Sequence, residues 1–255
     1  ARPSRGPWPA VRRRGRAMLV LLGFLWLHPA SAAEPSRLHY YATWAGLPAA
    51  HIYLRLDEGR PDFRSGIEIA TVGLPRLLSH FQARAEADGA LQRDATAIPA
   101  QYDAHYRLRR RHKQISIRYR DLDEGRLAEK GPGDTGEHPL LADKLRRDVL
   151  DPLSCLVEIR DLIRSGKLKG GGSFHIPVYD GKRRFDVDGK RLPPSDPPAG
   201  LTGRLLKLSL LLRPIAGFRV DEREDEDIDQ SPREVTLWFS DDDRLIPLRM
   251  TVSIA

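Results

Sequence analysis

The chain of 255 residues contains one cysteine and lacks any long apolar run. Since a disulfide within one chain needs two cysteines, the lone Cys155 excludes an internal disulfide, and the fold must depend on the packing of a core. A membrane-spanning helix needs about 20 predominantly apolar residues. The run Met18–Leu27 has only ten residues and is the most apolar stretch of the chain. The sequence therefore predicts no transmembrane helix.

Acidic residues are absent from residues 1–33, and this segment has the three parts of a secretory signal peptide. The basic segment Arg12–Arg16 precedes the apolar run Met18–Leu27, and small residues follow as far as Ala33. We expect cleavage near Ala33, export to the periplasm and a chain that begins at Glu34. A buried N-terminal helix is the alternative, but the flanking residues are typical of a signal and not of a capped helix.

The basic charge of the chain belongs mostly to this segment. The chain carries 42 basic and 35 acidic side chains, and removal of the six arginines of residues 1–33 leaves 36 against 35. A nucleic-acid-binding domain would need a basic surface of its own, so we expect no nucleic-acid partner. The remaining 222 residues, 34–255, are enough for a single exported β domain.

Apolar and polar residues alternate with period two along much of residues 34–255. In Ala49–Gly59, for example, Ile52, Leu54 and Leu56 alternate with polar neighbours that include His51 and Tyr53. Turn residues separate these segments. The sequence predicts a mainly β, antiparallel domain of about ten strands, either barrel-like or a strongly curved sandwich.

One segment has helical periodicity instead, and it predicts a buried plug helix over residues 151–166. Asp151 is a plausible N-cap, Pro152 suits the first helical position, and Gly166 suits a left-handed end. Apolar residues cover roughly 220° of the helical wheel, which is more than one packed face requires. We therefore expect this helix to lie inside or across a sheet.

Four segments carry a family resemblance. They are "DPLSCLVEIRDLIRSGK" (Asp151–Lys167), "VTLWFSDDDRLIPLRM" (Val235–Met250), "YYATWAGLPAAHIYLRL" (Tyr40–Leu56) and "YDGKRRFDV" (Tyr179–Val187). The first two, in that order behind a signal peptide, resemble the bacterial envelope family known as domain of unknown function 3108, and the other two look like its first hairpin and its hairpin after the helix. The resemblance covers most of Arg37–Ala255. It implies an exported, mostly β domain, and it implies no activity.

Residues that would carry catalysis or hold a metal are not found in recognisable patterns. The chain has no Gly-x-Ser-x-Gly motif, its histidines do not fall at zinc-binding spacing, and no phosphate-binding or dinucleotide motif occurs. Cys155 falls on the apolar arc of the predicted helix, where a cysteine packs as a small hydrophobe. The acidic run Asp221–Asp229 could hold calcium loosely but fits a solvated loop better. We therefore expect no catalytic residue, no cofactor and no metal.

Two pairs of residues are the candidate ligand-binding residues: Arg160 with Arg164, and Tyr41 with Trp44. The two arginines lie on the otherwise apolar side of the predicted helix, where a guanidinium needs a partner or a route to water. They could hold an anionic head group, or they could form structural ion pairs with Glu158, Asp161 or an aspartate of residues 241–243. The basic segment Arg107–Lys113 could likewise bind lipid phosphates or protect a sheet edge.

Three functional hypotheses follow. The first is a non-enzymatic periplasmic domain that holds an apolar or lipid-like ligand inside the β structure, or aids envelope assembly. The second is a scaffold that binds an envelope protein through a sheet edge or the region of Tyr41 and Trp44, which requires an exposed apolar patch. The third is an unrecognised hydrolase, which requires a cleft that joins a serine or an aspartate to a histidine.

Overall fold

The structure is a computed structural model that describes residues 35–59, 61–92, 96–135, 140–218 and 231–253. These residues form two antiparallel sheets, and the first is a seven-stranded meander in which each strand pairs with the next along the chain. Its strands are β1 (Ser36–Trp44), β2 (Leu47–Asp57), β3 (Asp62–Thr71), β4 (Gln82–Leu91), β5 (Ala97–Leu108), β6 (Arg111–Leu122) and β7 (Gly125–Lys130).

The second sheet has five strands and is also antiparallel, in the order β12-β11-β10-β9-β8. Its strands are β8 (Ser173–Tyr179), β9 (Arg184–Arg191), β10 (Leu205–Ala216), β11 (Arg233–Ser240) and β12 (Pro247–Ser253). The predicted mainly β, antiparallel class is thus confirmed, with twelve strands in the described residues where the sequence indicated about ten. The two sheets do not close into one barrel.

Three α-helices accompany the sheets in the described part of the chain: α1 (Gly73–Ser79), α2 (Asp143–Arg146) and α3 (Pro152–Arg164). The predicted plug helix is α3, and its ends lie where its capping residues indicated. The Asp151 side chain accepts hydrogen bonds from the backbone N–H groups of Leu153 and Ser154, and Gly166 follows the helix with φ of +79°. None of the described helices has the length and hydropathy that a membrane-spanning helix needs.

The core has two parts, and α3 belongs to both. Leu153 and Val157 pack in the cluster formed by inward-facing residues of the first sheet. Cys155, Ile159 and Ile163 pack in the cluster formed by residues of the second sheet. This explains why the apolar arc of the helix is so wide, since a helix that contacts a sheet on each side must bury most of its circumference.

The two sheets have two pairs of neighbouring edge strands, β7 with β8 and β1 with β12, and among the described residues only the first pair is connected through the backbone. The segment 147–150 connects β7 to β8, because Arg147 forms a bridge with Leu127 of β7 and Leu150 forms one with Val178 of β8. At the other side, no ladder joins the described residues of β1 and β12. The Tyr40 hydroxyl of β1 nevertheless donates a hydrogen bond to the Pro247 carbonyl of β12. The molecule is therefore barrel-like with one open seam.

In a continuous strand the alternation of the basic segment would place Arg107, Arg109 and Arg111 on one face, but Leu108 pairs with Arg111 across a tight turn in which Arg109 has φ of +55°. These arginines therefore lie around the β5–β6 turn and do not share one strand face. The predicted signal peptide (1–33) and the acidic run Asp221–Asp229 lie outside the described residues.

Candidate functional site

Arg160 lies in the core, at the place where α3, the β2–β3 connection and the β11–β12 connection meet. Its side chain is 4% exposed. Its Nε donates a hydrogen bond to the Leu245 carbonyl at 3.2 Å, and one terminal nitrogen donates to the Arg244 carbonyl at 2.6 Å. The other terminal nitrogen forms an ion pair with Glu58. The guanidinium thus links the helix to both sheets.

Arg164 shares the same carboxylate one helical turn later. Its guanidinium lies 3.0 Å from Oε2 of Glu58 and 3.3 Å from Oδ1 of the fully buried Asp161. Burial lowers the pKa of Arg160, and the charge of Glu58 acts in the opposite direction. The pair with Asp161 is one of the ion pairs that the spacing along the helix suggested. Binding of an anionic ligand by Arg160 and Arg164 stays a prediction, since the contacts described here are internal.

Tyr41 lies on the outer face of β1, in a group of rings that we call the aromatic–histidine patch: His39, Tyr41, His51 and Tyr53. His39 stacks on Tyr53, its direct neighbour across β1 and β2, with ring centroids 4.2 Å apart. Tyr41 meets His51 edge to face at 4.9 Å. The side chains of Tyr41 and Tyr53 are 70% and 50% exposed. The patch is therefore ordered by its own contacts and open to solvent.

Trp44 lies at the end of β1, directly opposite Leu47 of β2, and both residues are more than half exposed. Tyr41 and Trp44 are thus surface residues, whereas Arg160 is buried among the elements that α3 joins. The structure does not bring the two candidate pairs into one site. Of the two arginines, only Arg160 is buried, since the side chain of Arg164 is 32% exposed.

Two solvent-open clefts occur on the first sheet. The larger, of about 520 Å³, is lined by Asp57, Asp62, Arg64 and Asp88 among others. The smaller, of about 350 Å³, borders the aromatic–histidine patch through His39 and Tyr53. Its further charged lining residues are Arg37, Arg55, Glu68, Arg84 and Glu86. Charged groups of both signs therefore flank the patch.

Groups that could support hydrolysis do not meet in these clefts. Nδ1 of His175 lies 2.8 Å from Oδ1 of Asp188 on the second sheet, but neither residue lines either cleft. Cys155 is buried and reduced, and burial raises the pKa of its thiol. In the part of the chain that the structure describes, no three histidine, cysteine or carboxylate side chains are grouped to hold a metal ion.

Sequence reasoning missed two residues that matter here. Glu58 follows a strand and precedes a glycine, so it has the pattern of an exposed turn residue, and nothing local indicates that it pairs with a helix 102 positions away. His39 was not grouped with Tyr41. The alternation of β2 had placed His51 and Tyr53 on one face, and only the pairing of β1 with β2 adds His39 and Tyr41 to that face.

The arrangement defines a class of protein: two antiparallel sheets with a helix packed between them and an exposed aromatic surface on the first sheet. Residues 39–255 match the family described as "Protein of unknown function (DUF3108)". The chain belongs to this family, as the resemblance of the four segments predicted.

Comparison with solved structures supports the same fold. One match is the crystal structure of a β-barrel-like protein of domain of unknown function DUF1849 from Brucella abortus. It is 8% identical to this chain, with a TM-score of 0.52, and the match covers 87% of this chain and 91% of that one. At this identity the likeness concerns the fold alone. No curated protein matches the chain.

Proposed function

We propose that this chain is exported behind a signal peptide cleaved near Ala33 and acts in the periplasm as a non-enzymatic scaffold that binds an envelope protein. The binding surface is the aromatic–histidine patch. The observation that carries the proposal is the exposure of Tyr41 and Tyr53 on the outer face of the first sheet. Exposed aromatic side chains grouped on a surface are typical of protein interfaces.

The surroundings of the patch support a protein partner. Arg37, Arg55 and Arg84 lie beside it together with Glu68 and Glu86. Interfaces between proteins commonly have an aromatic centre and a polar rim, and mixed charges at the rim favour one partner over another. Tyrosine also offers a large contact area at a low cost in conformational entropy.

The packing of α3 favours this surface over a ligand enclosed between the sheets. An apolar or lipid-like ligand would need space in the interior, and the side chains of α3 pack against core residues of both sheets. A close-packed interior of this kind contains few voids larger than a water molecule. The enclosed ligand therefore remains the competing hypothesis, and the experiment must separate the two.

Site-specific photo-crosslinking in cells tests the scaffold. A photoreactive phenylalanine at position 53 should form a crosslink to one envelope protein. Tyr41→Ala should lower the yield of that crosslink about tenfold. The reason is that an aromatic residue at the centre of an interface contributes roughly 1 to 3 kcal/mol to the free energy of binding. The matched control places the same probe at position 204, whose side chain is 90% exposed on a loop remote from the patch in sequence. Equal crosslinking at both positions would contradict the proposal.

Mass spectrometry of the protein purified from the periplasm without detergent separates the alternatives. The expected mass is that of Glu34–Ala255 with no adduct. A stoichiometric apolar adduct that is released by organic solvent would favour the enclosed ligand instead. A mass that still includes residues 1–33 would contradict the proposed export.

A further inference from the structure

The meander topology of the first sheet brings three connections to the same end. In an antiparallel meander the strands run alternately up and down, so every second connection lies at the same end of the sheet. At one end lie the β1–β2 turn, the β3–α1–β4 connection and the β5–β6 turn. We call residues 42–50, 69–83 and 104–114 the apolar–basic end.

Apolar side chains are exposed on all three connections of this end. They are Trp44 (67%), Leu47 (54%), Leu74 (61%), Leu77 (73%) and Leu108 (47%). The backbone N–H of Val72 donates to the Ala49 carbonyl at 2.8 Å, so α1 begins beside the β1–β2 turn. The described residues contain eleven large hydrophobic side chains that are exposed, and five of them lie at this end. Exposure of grouped apolar side chains to water is unfavourable, so this grouping indicates that something covers them.

The three connections of this end are basic. They contain no aspartate or glutamate, and their basic residues are all exposed: Arg76, Arg107, Arg109, Arg110, Arg111 and Lys113. The opposite end of the sheet carries charges of both signs, since Asp121 pairs with Arg126 there and Glu124 pairs with Arg147. The three connections of the apolar–basic end therefore carry a local excess of positive charge, even though residues 34–255 are almost neutral overall.

We infer that the apolar–basic end binds the surface of an anionic phospholipid membrane. The basic side chains would approach the lipid phosphates, and each contributes roughly 1 kcal/mol near such a surface. Trp44 would lie at the level of the head groups, which tryptophan prefers, and the leucines of the turns and of α1 would enter the boundary of the acyl chains. This surface adjoins the aromatic–histidine patch along β1 and β2 but shares no residue with it, and the inference goes beyond the proposed scaffold function.

The combination of the two kinds of side chain favours a membrane over an acidic protein. The exposed tryptophan and leucines are distributed over three separate connections of one sheet end, and the basic residues lie on and beside those connections. A bilayer can accept such side chains without complementary pockets, because its acyl chains and head groups adapt to them. An acidic protein would need a cavity for each apolar side chain.

Vesicle flotation tests the electrostatic part of this inference with the exported, purified protein. The protein should float with vesicles of phosphatidylglycerol and phosphatidylcholine but not with phosphatidylcholine alone, and added salt should release it. The double variant Arg109→Glu, Arg110→Glu should lose binding at least about tenfold. The matched control Lys169→Glu, Lys190→Glu makes the same change in net charge at exposed positions outside this end and should float like the wild type.

A second variant tests the apolar part. Trp44→Ser with Leu77→Ser should weaken flotation at least about threefold, whereas Met250→Ser, which removes an exposed apolar side chain elsewhere, should not. If the wild type does not float, or if the charge-reversal variant floats equally well, the inference is wrong. If the wild type binds soluble polyglutamate but no vesicles, the end recognises an acidic polymer and not a membrane. If Trp44→Ser with Leu77→Ser floats like the wild type, the apolar side chains do not enter the bilayer and that part of the inference is wrong. Neither Tyr41 nor Tyr53 is altered, so failure here is separate from failure of the scaffold proposal.

Discussion

At the scale of single residues, the pairing of Glu58 with Arg160 places two charges in the core. The side chains are 6% and 4% exposed, so both charges have lost most of their water. A buried ion pair of this kind is not strongly stabilising by itself, but removal of one partner leaves an uncompensated buried charge. Arg164 adds a second cation to the same carboxylate, which increases the dependence of both arginines on Glu58.

Glu58→Ala is therefore expected to lower the free energy of unfolding by about 3 to 5 kcal/mol. The measurement is urea unfolding followed by circular dichroism. Glu129→Ala is the control, since Glu129 pairs with Arg120 at 2.6 Å on the surface, and its loss should cost less than about 1 kcal/mol. Similar losses for the two variants would contradict the interpretation of Glu58.

The double variant Glu58→Ala, Arg160→Met tests the cause of that loss. Methionine fills much of the space of the arginine stem and brings no charge. We expect the double variant to be more stable than Glu58→Ala alone, because the unpaired guanidinium is gone. If the two substitutions simply add, the cost of Glu58→Ala comes from something other than the charge of Arg160.

At the scale of elements, the start of α3 contains a fully buried carboxylate. Asp151 is 0% exposed and accepts hydrogen bonds from the backbone N–H groups of Leu153 and Ser154 at 3.0 and 2.9 Å. Burial raises the pKa of Asp151 to about 6, against the opposing effect of these donors and of the Ser154 hydroxyl. The cap that defines the beginning of the helix is thus also a titrating group inside the core.

This pKa predicts a pH dependence of stability that Asp151→Asn should remove. Between pH 3.8 and 6 folded Asp151 keeps a proton that the unfolded chain has released, so its contribution to the free energy of unfolding falls as the pH rises through that window. The expected fall is about 2 to 3 kcal/mol. The free energy of unfolding of the wild type and of Asp151→Asn is measured with urea at pH 4 and at pH 7. The advantage of the wild type over Asp151→Asn should be smaller at pH 7 than at pH 4, or reversed. An unchanged difference would mean that Asp151 does not titrate in this range.

At the scale of the whole molecule, two sheets enclose one helix and meet at one connected side and one open seam. The helix cannot separate from the second sheet without exposing Cys155, Ile159 and Ile163, which pack there. At the seam, the contact between Tyr40 and Pro247 joins two strands that share no ladder. Loss of the helix would expose both halves of the core.

Cys155 should therefore report the opening of the whole domain. Its side chain is buried, and burial raises the pKa of its thiol. The native protein should therefore react slowly with a thiol reagent. The rate of this reaction should increase with urea in parallel with global unfolding. In a Cys155→Ala background, Ser165→Cys supplies an exposed thiol just beyond the same helix and should react at once. Rapid labelling of Cys155 without urea would show that α3 leaves its site locally.

The local elements were predictable because their causes are local. The caps of α3, Asp151 and Gly166, act through backbone groups a few residues away, and the wide apolar arc follows from the order of side chains along one helix. The alternation of β2 predicted a strand with His51 and Tyr53 on one face, since successive residues of a strand point to opposite sides. The family was recognisable from the same short segments.

By itself the sequence thus determined the β class, the helix with its ends and the family. Only the tertiary structure decided which distant groups meet: Glu58 with Arg160, His39 with Tyr53, and the turn of Trp44 with α1 at the same end as the arginines of the β5–β6 turn. These neighbours depend on strand order, register and the placement of α3 between two sheets. Such choices are made by the burial of surfaces far apart in the chain, and no local pattern encodes a partner about 100 residues away.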